Sequence, residues 1–134
     1  MFNVLDISSS ALVAQRTNLD VIAGNIAMKD TWEMRNGEPS PFRRRVALLA
    51  AGDGRRGVRV QSVAEDQSPL GLRWDPNHPF AYRQGPNTGY VRTSNVDYHT
   101  EMVNAMTALR VYEANVTVMQ MAKSMAASSL RLIA

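Results

Sequence analysis

At 134 residues the chain has room for one modest domain. A composition of 45% hydrophobic and 20% charged residues excludes a wholly disordered chain, and the lack of cysteine excludes disulfides and thiolate metal centres. The net charge of +3 is too mild for a nucleic-acid-binding arm, and the longest apolar run, Val46 to Ala51, is far too short to span a bilayer.

The start of the chain, Met1-Phe2-Asn3-Val4-Leu5-Asp6, has no basic leader region and carries an acid inside its short apolar stretch. It is not a secretory signal peptide, so any export is expected to proceed without a cleaved signal. Residues 3–28 read as a helix. Asn3 is suited to cap it, with Asp6 three residues later, where an acid favours the positive end of the helix dipole. Leu5, Leu12, Leu19 and Ile26 recur every seven residues, and Ile22 joins the same face. Ser8 and Gln15 are polar companions, which keeps the seam narrow in its first half.

Residues 29–93 have a different grammar. All six prolines lie here, and every glycine except Gly24. Asn36-Gly37, Pro39-Ser40-Pro41, Gly52-Asp53-Gly54 and Asp75-Pro76-Asn77-His78-Pro79 are turn signals. Arg43 to Leu49 and Gly57 to Val63 read as strands, the second with its valines on one face. Leu70 to Trp74 and Tyr90 to Val91 are weaker strand candidates. The expectation is a small irregular β region containing a hairpin or two.

Residues 94–134 contain no glycine or proline. Ser94 and Asp97 form an S-x-x-D helix start. An apolar seam then alternates at three and four residues: Met102, Ala105, Leu109, Tyr112, Val116, Met119, Lys123, Ala126, Leu130, Ile133, with Lys123 as its only interruption. Such a helix would be about 55 Å long. Neither the middle region nor the first helix is long enough to cover it all. A surplus apolar stripe at heptad spacing specifies packing on another helix. Three organisations fit that pattern: a subunit of a helical assembly, a stand-alone antiparallel helix pair capped by loops, and a helical adaptor that docks on one partner without polymerising.

Several other signals carry less. Gly52-x-Gly54-x-x-Gly57 has the letters of a dinucleotide fingerprint but is followed by a strand pattern instead of a helix, so it reads as a β-turn. His78 and His99 are not at metal-ligand spacing. Glu65-Asp66 reads as a solvated pair at a strand end, and Arg43-Arg44-Arg45 as a strand edge kept soluble by charge. Ten arginines lie between Trp32 and Arg92, but Trp32, Phe42, Trp74, Phe80 and Tyr82 are scattered among them, which disfavours a nucleic-acid surface. No catalytic site, cofactor or metal is expected.

The chain resembles the flagellar basal-body rod proteins, and within them the proximal-rod type called protein C. Ala23-Gly24-Asn25-Ile26-Ala27-Met28-Lys29-Asp30-Thr31 follows the family's A-x-N-[LI]-A-N-x-x-T signature, departing at Met28. Gly89-Tyr90-Val91, Asn95-Val96, Glu101-Met102, Ala108, Arg110, Tyr112, Ala114-Asn115, Lys123 and Met125 follow its C-terminal order and spacing. Arg43-Arg44, Gly57-Val58, Glu65-Asp66, Asp75-Pro76 and His78-Pro79 match this subtype in the middle. The resemblance implies a mainly α fold, in which 1–28 and 94–134 form a coiled-coil-like axial core around a loop/β insert at 29–93. It implies type III export, a place in the periplasm-spanning rod, and assembly with copies of itself and other rod proteins, including the MS-ring/export-gate base, without nucleic acid or membrane insertion. The expected packing and assembly residues are Leu5, Leu12, Leu19, Ile22, Asn25, Ile26, Met102, Leu109, Tyr112, Asn115, Val116, Met119 and Leu130. Among them, Asn25 is expected to cap or bridge backbone groups where the first helix ends. Asn115, with Arg110, is expected to fix register between helices.

Overall fold

A computed structural model describes residues 2–52 and 57–133, with side chains over 4–52 and 57–132. Helix α1 spans Phe2–Met28 and helix α2 spans Tyr98–Ile133. Between them lie β1 (Trp32–Arg35), β2 (Glu38–Pro41), β3 (Arg45–Ala51), β4 (Val58–Glu65), β5 (Gly71–Trp74) and β6 (Tyr90–Thr93). The strands pair in chain order as three antiparallel two-stranded ribbons, β1–β2, β3–β4 and β5–β6.

The ends of both helices differ from expectation. Since α1 begins at Phe2, Asn3 lies within the helix instead of ahead of it; its side chain is outside the described residues. At α2 the cap is Asp97, not Ser94. The Asp97 carboxylate accepts from the N–H groups of His99 and Thr100 at 3.3 and 3.2 Å, while the Ser94 hydroxyl accepts from Val96 N–H in a turn just before. The first intrahelical bond, Glu101 N–H to Asp97 carbonyl, then follows at 3.0 Å.

The insert is more ordered than its composition suggests. Asn36 and Gly37 take φ of 54° and 82°, the paired positive angles of a type I′ turn, and β1–β2 closes around them. Pro39 and Pro41, expected in a turn, lie instead in β2. A two-stranded ribbon leaves each strand an edge, where a missing N–H is tolerated. In β3–β4 the register shifts between Leu48 and Leu49, leaving Gln61 opposite no residue. That extra residue accommodates the uneven spacing of Val58, Val60 and Val63. The Gly52 N–H to Gly57 carbonyl bond closes the connection, and Asp53 to Arg56, part of the glycine-rich turn reading, lie outside the described residues.

The two helices pack on each other, and α1 also packs on β3 and β4. Gln15, Asn18 and Ile22 line the same cleft as Asn104, Ala108 and Val111, while Asn25 meets Glu101, so the helices run antiparallel. Along α2 the buried positions are Glu101, Ala108 and Ala122, spaced by multiples of seven, with Ala105, Tyr112 and Met119 half-buried beside them. The Ala105-Tyr112-Met119-Ala126 row is half-buried, and so are Met102 and Val116, but at Ala108 and Ala122 the line of contact is rotated one residue back from Leu109 and Lys123. Leu109 is 48% exposed and Leu130 68%. Small side chains explain the rotation. Ser8 and Ala14 on α1 and Ala108 and Ala122 on α2 are all buried, and small residues let two helix axes approach closely enough for continuous van der Waals contact. Phe42, Val91 and Val96 are also buried.

Candidate assembly site: a polar junction and an open helical face

The tightest chemistry in the molecule lies where the end of α1, the start of α2 and the insert meet. Asn25 sits on the last full turns of α1 and is 1% exposed; Glu101 sits on the first turn of α2 and is fully buried. Asn25 Nδ2 donates to Glu101 Oε2 at 2.9 Å and to the Arg45 carbonyl at 2.8 Å, while its Oδ1 accepts from Arg45 N–H at 2.8 Å. One amide thus satisfies both backbone groups at the head of β3 and half of a buried carboxylate. Arg44 Nε donates to the other oxygen, Glu101 Oε1, at 2.8 Å. A buried carboxylate needs this pairing, because an uncompensated charge out of water costs several kcal/mol, on the order of 3–5.

The network continues outward. Arg44 reaches Asp66 Oδ2 at 3.3 Å, and its backbone N–H donates to Asn95 Oδ1 at 2.8 Å. Asn95 Nδ2 donates to the Ser68 hydroxyl at 2.9 Å and the Asp66 carbonyl at 3.1 Å. Burial opposes the charge on Arg44, but its bonds and attraction to Glu101 and Asp66 outweigh that, holding its pKa above the ordinary arginine value. The Asp66 carboxyl is held below its ordinary value, chiefly by the Ser68 N–H and hydroxyl and then by Arg44. Glu65 is lowered chiefly by a two-pronged bond to Arg35, at 2.8 and 2.9 Å. The Glu65-Asp66 pair is therefore engaged and not merely solvated, and Arg44 is an internal tie where a strand edge was expected. Among the described residues no buried side-chain polar atom lacks a partner.

The expected packing residues fall into three groups. Ile22 and Asn25 are buried, while Leu5, Leu12, Leu19, Ile26, Met102, Tyr112, Asn115, Val116 and Met119 are half-buried. Leu109 and Leu130 are exposed, together with Val103, Met106, Val118, Met121, Met125 and Leu132. Asn115 does not bond across to α1; its Nδ2 donates to the Val111 carbonyl of its own helix at 2.8 Å. Arg110 is exposed. Register is carried instead by the Asn25–Glu101 bond. Sequence reasoning missed Arg44, Asp66, Asn95 and Glu101 as a unit. The available signal was Glu101 itself, an acid in register with Ala108 and Ala122 at seven-residue spacing. No group of acids and histidines among the described residues could hold a metal ion, and none of the described helices is long and apolar enough to cross a membrane.

Comparison with known proteins bears directly on this arrangement. The chain is 40% identical over 134 aligned residues to the flagellar basal-body rod protein FlgC of Salmonella typhimurium, covering 98% of this chain and 97% of that one. It is 37% identical to FlgC of Borreliella burgdorferi and 36% identical to FlgC of Buchnera aphidicola, covering 99% and 98% of this chain and 97% of each relative. The chain belongs to the FlgC family of flagellar basal-body rod proteins. Residues 87–132 also match the family described as flagellar basal body rod FlgEFG protein C-terminal. Membership in the FlgC family makes the chain a structural subunit of the basal-body rod. Five residues of the motifs on which the resemblance was drawn meet in the junction: Asn25, Arg44, Asp66, Asn95 and Glu101.

Proposed function

We propose that this subunit builds the proximal part of the rod, polymerising through its terminal helices with copies of itself and with other rod proteins, into the shaft that carries motor torque. The observation supporting the reading is the set of apolar side chains that α2 leaves exposed. Val103 is 62% exposed, Met106 55%, Met121 60% and Met125 63%. Apolar side chains repeated along one helix mark an interaction surface, and methionine adapts to neighbours of differing shape. In this reading Leu109 and Leu130 meet adjacent subunits instead of α1, and the half-buried Leu5, Leu12, Leu19 and Ile26 are shared between the two. The subunit leaves the cell by type III export without a cleaved signal and seats near the MS-ring/export-gate base.

Two experiments test this. Deleting the gene should abolish swimming and leave motor rings without rod or hook in electron micrographs of purified basal bodies; normal basal bodies would reject the assignment. Leu109→Asp and Val116→Asp should each prevent rod assembly, because a carboxylate placed in a packed apolar contact has no compensating partner. Either variant swimming normally in the deletion strain would show that these side chains are not in the interface.

A further inference from the structure

The β5–β6 ribbon has two unlike faces. Val91 points inward and is 1% exposed. In the register of the ribbon Leu72 stands opposite Arg92 and Trp74 opposite Tyr90, so these four side chains share the other face. That face is open: Trp74 is 61% exposed, Leu72 51% and Tyr90 38%. Trp74 and Tyr90 meet edge to face with centroids 5.0 Å apart. Beside them is a cleft of about 330 Å³ lined by Arg43, Leu70, Leu72, Tyr82, Asn87 and Arg92.

Among the described residues no carboxylate lines that cleft. Among the described residues Arg43 donates to the main-chain carbonyls of Asp66 and Ser68, at 3.2 and 3.3 Å, which orient the guanidinium without neutralising it. Glu65 feels the charge of Arg43 but is itself bound to Arg35. Arg92 lies over the Tyr82 ring, 5.7 Å from its centroid. Two oriented cations therefore flank one opening, next to an exposed aromatic and aliphatic strip. We propose that this face is a second interaction surface, distinct from the helices, which receives a carboxylate-bearing segment of an adjacent rod subunit, its acid between Arg43 and Arg92 and its apolar neighbours on Leu72, Trp74 and Tyr90. Planar guanidinium groups pair with carboxylates in this way.

The inference rests on the rod-subunit reading, and the test separates the two. Basal bodies are purified from strains carrying Arg92→Lys, which retains the charge and supplies an amine, and treated with a zero-length carbodiimide. The expected result is an amide between position 92 and an Asp or Glu of another subunit, identified by mass spectrometry. The peptide tells whether that subunit is a second copy or a different rod protein. Intact rods with no cross-link at position 92 overturn the proposal while leaving the rod assignment standing. Should Arg92→Lys build no rods, Arg43→Lys carries the same test. In parallel, Arg92→Glu should reduce rod-bearing basal bodies at least tenfold without changing the thermal melt of the purified chain. Unchanged rod numbers in that variant would equally overturn the proposal.

Discussion

Asn25 illustrates why a side chain of one particular chemistry occupies a position. Its amide carries a donor and an acceptor side by side, and the head of β3 presents one backbone N–H and one carbonyl that need both. An aspartate could not donate, and would set a second negative charge against Glu101. Asn25→Ala strands the Arg45 backbone groups and one oxygen of a buried carboxylate. The expected cost is about 3 kcal/mol, read as a fall of roughly 10 °C in the thermal midpoint. Gly89 is a second such position. Its φ is 84°, and a β-carbon there would press into the Trp74 ring, whereas Gly85, with φ of 89°, faces open space. Gly89→Ala should therefore destabilise by about 2 kcal/mol and Gly85→Ala by about 1. Equal melting points for the two variants would remove the Trp74 contact as a cause.

Both helices and four of the six strands are legible from spacing and turn residues alone. The remaining ribbon, β1–β2, was marked by its Asn36-Gly37 turn but hidden by Pro39 and Pro41, which read as punctuation in a sequence and sit harmlessly on an edge in three dimensions. The helical face was read for its periodicity and not for the size of its side chains. Hydrophobicity ranks Leu109 above Ala108, but Ala108 is 3% exposed and Leu109 48%. Close approach selects size at an intramolecular seam, and a periodic apolar pattern cannot distinguish that seam from one reserved for other subunits. The polar junction escaped because its members come from segments far apart in the chain, and no local pattern joins them. Its electrostatics have a measurable signature. Asp66, Glu65 and the α2 cap Asp97 are all held below their ordinary pKa, Asp97 chiefly by the Thr100 hydroxyl and N–H. A lowered folded-state value means that the stabilisation is complete above the ordinary carboxylate range, roughly pH 4, and is lost as pH falls through the lowered values. Thermal midpoints should therefore hold steady down to about pH 5 and decline below about pH 4. Replacing both Glu65 and Asp66 with the matching amides should flatten that decline.

The two helices are unequal, with 27 residues in α1 and 36 in α2. Counting back from the Asn25–Glu101 bond at a common rise per residue, the start of α1 comes level with about Ser124, so the last nine or so residues of α2 extend beyond it. Leu132, near that end, is 89% exposed. The subunit is thus closed and fully hydrogen-bonded at one end and unfinished at the other, as expected of a part made to be completed by neighbours. The junction also sets an order of events. The Asn25–Glu101 bond joins residues 76 apart, and the Arg44–Glu101 bond joins residues 57 apart, whereas Arg35 and Glu38 pair across a turn of two residues. The loss of chain entropy on closing a loop rises with its length, so short ribbons form early and distant pairings late. The clasp between the two ends of the chain is therefore expected to close last, after a stage in which the newly made polypeptide is a string of small local structures.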